Sequence, residues 1–227
     1  MSSKHLSFWE DHCDLETFQK WCGSFDRPFK NNIRKDIKQA GYKNILDCGA
    51  GVFSEYYGFK DDGYLIDYTG VEITPSFVEF GKKKGIKCLL SPIDDMPFED
   101  NQFEATICLD VLNHQLDYKK TIIEMLRVTK NIIFISFFKP FVEEEEFQDS
   151  LTHWDSKKIK KTPYGTLLER VTDEHEEAVC LHHYFSSLKM SKFLTSLNVK
   201  HSVAFMPAVH YMLPTKTAQN RVLKIEK

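Results

Sequence analysis

The sequence has no long apolar run. Its longest, Asn131 to Phe138, suits one buried strand and falls well short of the roughly 20 residues a membrane helix requires. The opening MSSKHLSFWEDH has no apolar centre, so no secretory leader is expected there. No two cysteines form a CxxC pair: Cys13, Cys22, Cys48, Cys88, Cys108 and Cys180 are scattered. That spacing argues against a structural metal or a disulfide framework and leads us to expect buried thiols in a reduced, cytoplasmic protein. Neither sign of charge dominates. The 30 Lys and Arg against 33 Asp and Glu leave a formal charge of −3, which is no footprint for a nucleic-acid partner. Internal repeats and low-complexity linkers are lacking too. What remains is 227 residues, 42% of them hydrophobic, enough for one α/β domain with its own core.

The first 40 residues carry helical spacing. Leu15, Phe18 and Trp21–Cys22 recur at three to four residues, and a second helix is expected with Asp26 as its cap, Pro28 in its first turn and Ile33, Ile37 and Ala40 on one face, ending at Gly41. The period then changes. Asn44–Asp47, Tyr68–Ile73, Ile86–Leu90, Phe103–Leu109 and Asn131–Phe138 read as strands. Pro75–Lys84 and Leu116–Val128 read as helices between them. Alternation of this kind predicts a parallel sheet with crossover helices.

Residues 139–185 break the rhythm with an acidic run, Glu143–Glu146, a basic run, Lys157–Lys161, and two candidate strands, Gly165–Val171 and Ala178–Tyr184. The basic run reads first as a solvated, charged loop, with grip on an anionic acceptor as the rarer alternative. Ser186 caps a final helix to Leu197, and Val199–Phe205 with Arg221–Ile225 is expected to close the sheet as an antiparallel pair.

The chemistry lies in Asn44–Phe53, NILDCGAGVF. Glycine after a short apolar strand permits a tight turn and close approach of a ligand to the backbone, and the next helix start offers unpaired amides. A Gly-x-Gly alone is weak evidence. Its place directly after a strand, with Glu72 ending the next strand, makes it a nucleotide loop in which that carboxylate accepts from ribose hydroxyls. Gly49-x-Gly51-x-x-Ser54 also approaches the dinucleotide pattern, so an NAD(P)-dependent oxidoreductase is the first rival. Asp47 argues against it: a carboxylate two residues before the first glycine repels a pyrophosphate and attracts a sulfonium or ammonium.

Taken together, NILDCGAGVFSEYYG, TGVEITPSFVEFGKKKGIKCLLSPIDDMPFEDNQFEATICLDVLNH and YKKTIIEMLRVTKNIIFISF resemble a class I S-adenosylmethionine-dependent methyltransferase over about residues 43–138. The most distinctive stretches are Met96–Glu104 and the helix ending Glu124–Val128. The resemblance implies a doubly wound, seven-strand, mostly parallel sheet in a single domain. Its parts would be an N-terminal helical cap (1–42), a cofactor core (43–138), an acceptor-side insertion (139–185) and a C-terminal helix with a strand pair (186–227). It implies S-adenosyl-L-methionine as cofactor, S-adenosyl-L-homocysteine as product, and transfer to an oxygen or nitrogen of a small-molecule or sugar-like acceptor. It assigns Asp47, Gly49, Ala50 and Gly51 to the methionine moiety and Glu72 to the ribose. Ile73, Ile93 and Asp94 go to the adenine, and Leu109 and Asp110 to the floor beneath the sulfonium. Two positions depart from the pattern: Pro92 replaces an adenine-binding aspartate, and Phe53 replaces the third glycine. They raise a second rival, a catalytically silent binding protein of this fold.

Methyl transfer needs alignment and water exclusion first, and a base only for an acceptor that must lose a proton early. His114, just after the fourth strand, is the candidate base, although a histidine there also serves by packing alone. His182 and His183 fall on opposite faces of a strand. His153, His210 and Tyr211 are weaker candidates. Trp9, Trp21 and Arg27 are expected to cover the cofactor or simply to pack. The aromatics Phe137, Phe138, Phe141, Trp154, Tyr164, Tyr184 and Phe185 suit an organic acceptor.

Overall fold

A computed structural model describes residues 15–115, 117–137, 141, 158–162, 165–171, 179–207 and 219–227. Trp9, Glu143–Glu146, His153, Trp154, Tyr164, His210 and Tyr211 lie outside the described residues, as do Phe138 and Lys157.

Two helices come first, α1 (Leu15–Cys22) and α2 (Pro28–Ala40). Pro28 sets the start of α2, so its cap is Arg27 rather than the expected Asp26; Asp26 instead accepts from the Asn31 side-chain amide at 2.9 Å. The buried stripe is Phe29, Ile33 and Ile37, with Ala40 exposed. Gly41 ends the helix at φ 77°, as expected of a left-handed cap.

There follow β1 (Asn44–Cys48), α3 (Ser54–Asp61), β2 (Asp67–Glu72), α4 (Pro75–Lys83), β3 (Cys88–Leu90) and β4 (Phe103–Leu109). A 3₁₀ turn (Leu112–His114) leads into α5 (Tyr118–Val128) and β5 (Thr129–Phe137). Helix α5 starts two residues later than its apolar pattern predicts. Asp117 takes its N-cap, accepting from the amides of Lys119 and Lys120 at 3.1 Å each. The chain then forms β6 (Lys158–Thr162), β7 (Gly165–Val171), β8 (Val179–Tyr184), α6 (Ser187–Ser196), β9 (Lys200–Pro207) and β10 (Gln219–Glu226).

The main sheet runs β3-β2-β1-β4-β5-β10-β9. Its first five strands are parallel, and β10 is antiparallel to both β5 and β9. The fold is therefore α/β with the seven-strand, mostly parallel sheet expected. It differs from the all-parallel 3-2-1-4-5-6 order of a dinucleotide domain in its antiparallel end. The insertion forms a separate antiparallel sheet, β6-β7-β8. Lys158–Lys161 of the basic run thus lie in the edge strand β6, a correction to the loop reading.

Alternation along β1 decides where the site's groups point. Leu46 and Cys48 join the core layer of Ile122, Met125 and Leu194, under α5 and α6. Ile45 joins Phe29, Ile33, Ile37 and Phe59, under α2 and α3. Asp47, two residues on from Ile45, shares that second face.

Candidate cofactor and active site

The loop after β1 is folded over β2. The amides of Gly49 and Ala50 both donate to the Val71 carbonyl, at 2.8 and 3.0 Å. Gly49 and Gly51 have φ of 73° and 53°, the left-handed region in which glycine is unstrained. Their bare Cα atoms also face packed neighbours. A Cβ on Gly49 would meet Val111 at 2.5 Å, and one on Gly51 would meet the Phe18 ring at 2.6 Å. Phe18 comes from α1 and lies on Phe77 with ring centroids 4.8 Å apart. The N-terminal cap therefore reaches the glycine loop through Phe18.

Phe53 also holds a left-handed backbone, φ 61° and ψ 36°, and is fully buried. Such a conformation costs a non-glycine residue about 1–3 kcal/mol. Its ring occupies the space left by two other glycines: a Cβ on Gly70 would lie 2.9 Å from it and one on Gly81 2.5 Å. The missing third glycine of the loop is thus accommodated by small residues on β2 and α4, and the loop keeps its turn. Nothing in the local motif signals this.

Glu72 is where the sequence places it, at the end of β2, 6% exposed. Its carboxylate accepts from three backbone amides: Gly51 at 2.8 Å, Ile73 at 2.7 Å and Thr74 at 3.0 Å. It ties the glycine loop to the start of α4. A carboxylate offers about four acceptor sites, so the acid still has capacity for a hydroxyl donor. Asp47 is equally buried and accepts from the Tyr68 hydroxyl at 2.6 Å. Burial pushes its carboxyl up to about 7, helped by Glu55 and Glu72 and opposed by Tyr68 and Lys30.

Behind the loop lies an ion cluster that the sequence reading missed, because its members sit at polar positions of helices. Lys30 donates to Ser54 Oγ at 2.7 Å and pairs with Glu55 at 3.0 Å. Arg34 pairs with Glu55 at 3.0 Å and with Asp62 at 3.2 Å. Lys30, Arg34 and Glu55 are each at most 5% exposed. The Arg34 guanidinium lies where a Gly58 side chain would be, 2.6 Å from its ideal Cβ, which explains glycine inside α3. Only spacing of i, i+4 between Lys30 and Arg34 hinted that both face one way.

At the adenine edge the expected residues divide. Ile73 is half-buried, and its amide is held by Glu72. Ile93 is 4% exposed and belongs to the core with Met96. Asp94 pairs with Lys120 at 3.3 Å. Beside Pro92, the Ser91 hydroxyl donates to the carbonyls of Pro92 and Asp95, closing the turn. Arg127 clamps the following stretch: it donates to the Met96 and Phe98 carbonyls at 3.1 and 2.7 Å and pairs with Asp100 and Glu124.

At the end of β4, Leu109 and Asp110 are half-buried. Asp110 is left-handed, φ 61°. Its amide donates to Ser136 Oγ at 2.9 Å and that hydroxyl donates back to its carboxylate at 2.6 Å. His114 closes the 3₁₀ turn and is half-buried, with β8 of the insertion alongside that turn. Phe137 and Phe185 are not acceptor-wall residues. They are 0% and 2% exposed and pack with Tyr118 and Phe141, anchoring the insertion. Cys48, Cys88 and Cys108 are buried and unpaired, and burial pushes each thiol up, away from reactivity. Among the described residues no group of three metal-ligating side chains converges, and no helix is long and apolar enough to cross a membrane.

The residues suit a cationic nucleoside. The loop pairs unstrained glycines with two buried acids, and the nearby cations Lys30 and Arg34 are already spent on Glu55, leaving none of those for a pyrophosphate. The sheet order, the glycine loop and the β2 acid together define a Rossmann-like methyltransferase fold. Residues 46–133 match the family model of the methyltransferase domain. A protein of Methanocaldococcus jannaschii with no assigned function is 31% identical over 109 residues, 46% of either chain. A ubiquinone/menaquinone biosynthesis C-methyltransferase of Citrifermentans bemidjiense is 25% identical over 127 residues, 51% of this chain and 54% of its own. The chain spans about half the length of the curated relatives it matches. Magnesium protoporphyrin IX methyltransferase of Synechocystis, solved with S-adenosylmethionine bound, superposes with a TM-score of 0.55 at 13% identity, covering 87% of this chain and 77% of that one. At that identity it speaks for the fold.

Proposed function

We propose that the protein is an S-adenosylmethionine-dependent methyltransferase acting on an oxygen or nitrogen of a small organic acceptor. The observation that carries this is the Glu72 carboxylate, buried and tied to the Gly51 amide, beside a loop whose two glycines take left-handed backbone. When bound, the cofactor supplies a methyl carbon on a positively charged sulfur. The chain's part is alignment and exclusion of water. Asp47, Gly49, Ala50 and Gly51 line the methionine end, Glu72 takes the ribose, and Ile73, Ile93 and Asp94 border the adenine. Leu109 and Asp110 form the floor, with Ser136 fixing Asp110. We assign to His114 the role of accepting the acceptor's proton. The insertion, with β8 beside the His114 turn, forms the acceptor side.

A solved structure that shares this fold is compatible with that substrate class: 1,6-didemethyltoxoflavin-N1-methyltransferase from Burkholderia thailandensis holds 1,6-didemethyltoxoflavin and S-adenosylhomocysteine. The test is incubation with methyl-labelled cofactor and fractionated extract, with mass spectrometry of the product. Label appearing in a small molecule supports the proposal. Label confined to macromolecules overturns the acceptor class. Calorimetry showing NAD(P)(H) binding and no binding of either S-adenosyl compound overturns the cofactor.

A further inference from the structure

We propose that Lys30 is a positioning residue for the cofactor: from outside the strand-loop-helix unit it pins the helix end of the glycine loop and sets the charge under its strand end. The inference rests on the loop being the S-adenosylmethionine site, and it adds a group that no motif of the chain marks.

The geometry has two parts. Lys30 Nζ holds Ser54 and Glu55, the first two residues of α3 and the first after the loop residue Phe53. At the loop's other end, Asp47 lies on the same face of β1 as the α2 side chains Phe29, Ile33 and Ile37. The groups that act on the Asp47 carboxylate come from every element around it. Tyr68 and Glu72 lie on β2, Glu55 on α3 and Lys30 on α2; the Cys108 thiol on β4 and the Cys48 thiol on β1 feel Asp47 in turn. Lys30 is the single cation in that set. Two of its neighbours, Glu55 and Glu72, are acids that oppose ionisation of Asp47, and burial opposes it further.

A carboxylate poised near neutrality gives the loop a charge that one lysine can switch. With Lys30 present, Asp47 is ionised above about pH 7 and attracts the ammonium and sulfonium of the cofactor. Without it, Asp47 stays protonated to higher pH and that attraction is lost at neutrality. A lysine that only braced α3 would affect every ligand alike at every pH.

The test is calorimetric binding of S-adenosylhomocysteine, and of 5′-methylthioadenosine, which lacks the amino-acid moiety, between pH 5.5 and 8. The protein is wild-type, Lys30→Met, Lys30→Arg or Glu55→Gln. In the wild type, affinity for S-adenosylhomocysteine rises as pH passes through about 7, whereas 5′-methylthioadenosine binding stays flat. Lys30→Met moves the midpoint upward by about one pH unit, roughly a fivefold loss at pH 7; Lys30→Arg keeps the wild-type midpoint. Glu55→Gln removes an acid and moves the midpoint down, which identifies Asp47 as the titrating group. Should Lys30→Met fail to fold by circular dichroism, Lys30→Gln, which loses the charge but can still donate to Ser54, carries the test. An unmoved midpoint in the folded neutral Lys30 variant, or in Glu55→Gln, overturns the inference. So does a matching pH dependence for 5′-methylthioadenosine. Failure of the wild type to bind any of these nucleosides overturns the cofactor site itself, a different result from a wild type that binds with an insensitive midpoint.

Discussion

The Phe53 ring fills the space where a side chain on Gly81 would begin, 2.5 Å from that glycine's ideal Cβ. Gly81 is helical and has no left-handed backbone, so alanine there gains about 1 kcal/mol of helix propensity. The clash outweighs it. We expect Gly81→Ala to lose about 1–3 kcal/mol of stability through overpacking, measured by urea unfolding. Combining it with Phe53→Leu should recover part of that loss. Simple additivity in the double mutant would show that the two residues do not share the space.

Asp47 gives a pH dependence with a definite sign. Its carboxyl is raised in the folded protein, from 3.8 to about 7, so between those values the native state binds a proton that the unfolded chain releases. This contribution is full below about pH 4 and disappears as pH rises through 7. Asp47→Asn removes the titration. The variant should therefore exceed the wild type in stability at pH 8.5 by a margin, on the order of a few kcal/mol, that shrinks toward pH 5. Parallel stability curves for the two proteins across that range would contradict it.

Glu72→Gln keeps the shape of the side chain and removes its charge. Because the acid accepts from Gly51, Ile73 and Thr74, a glutamine can satisfy only part of that set with its one oxygen. We expect S-adenosylhomocysteine binding to weaken by about 1–3 kcal/mol, the usual worth of charged hydrogen bonds. Titration calorimetry reads this directly, and unchanged affinity would move the site elsewhere.

Arg127 holds the 96–100 stretch through two carbonyls and two acids. Its side chain is one-third exposed, so the ion pairs count for little and the carbonyl bonds for more. Arg127→Met should cost about 1–3 kcal/mol and speed hydrogen exchange at the Met96 and Phe98 amides. Protection unaltered at those amides would show that Glu124, which accepts from Met96 N at 2.8 Å, suffices alone.

What the sequence revealed follows from range. The β1 loop, Gly41, the Ser186 cap and the alternation of strands with helices are written in neighbouring residues, and the structure has them within a residue or two. Features that depend on distant partners were hidden. Phe53 looks like a broken motif until Gly70 and Gly81 are seen to make room for it. Lys30, Arg34 and Glu55 read as ordinary polar helix positions, though all three are buried. Strand β6, KIKKT, carries too much charge to look like a strand, and it forms by pairing with β7. Phe185 looked like acceptor lining and is core, because Tyr118 and Phe137 surround it.

The position of β10 has a consequence for how the chain is made. It follows β9 in sequence yet lies between β9 and β5 in the sheet. Until it is synthesised, the Thr129–Phe137 strand has no partner on that side, and a row of apolar residues from Ile132 to Phe137 borders an open edge. A nascent or truncated chain ending before residue 219 carries a hydrophobic strand edge of the kind that templates aggregation. Ribosome-bound intermediates should need a chaperone until the last strand threads into its slot.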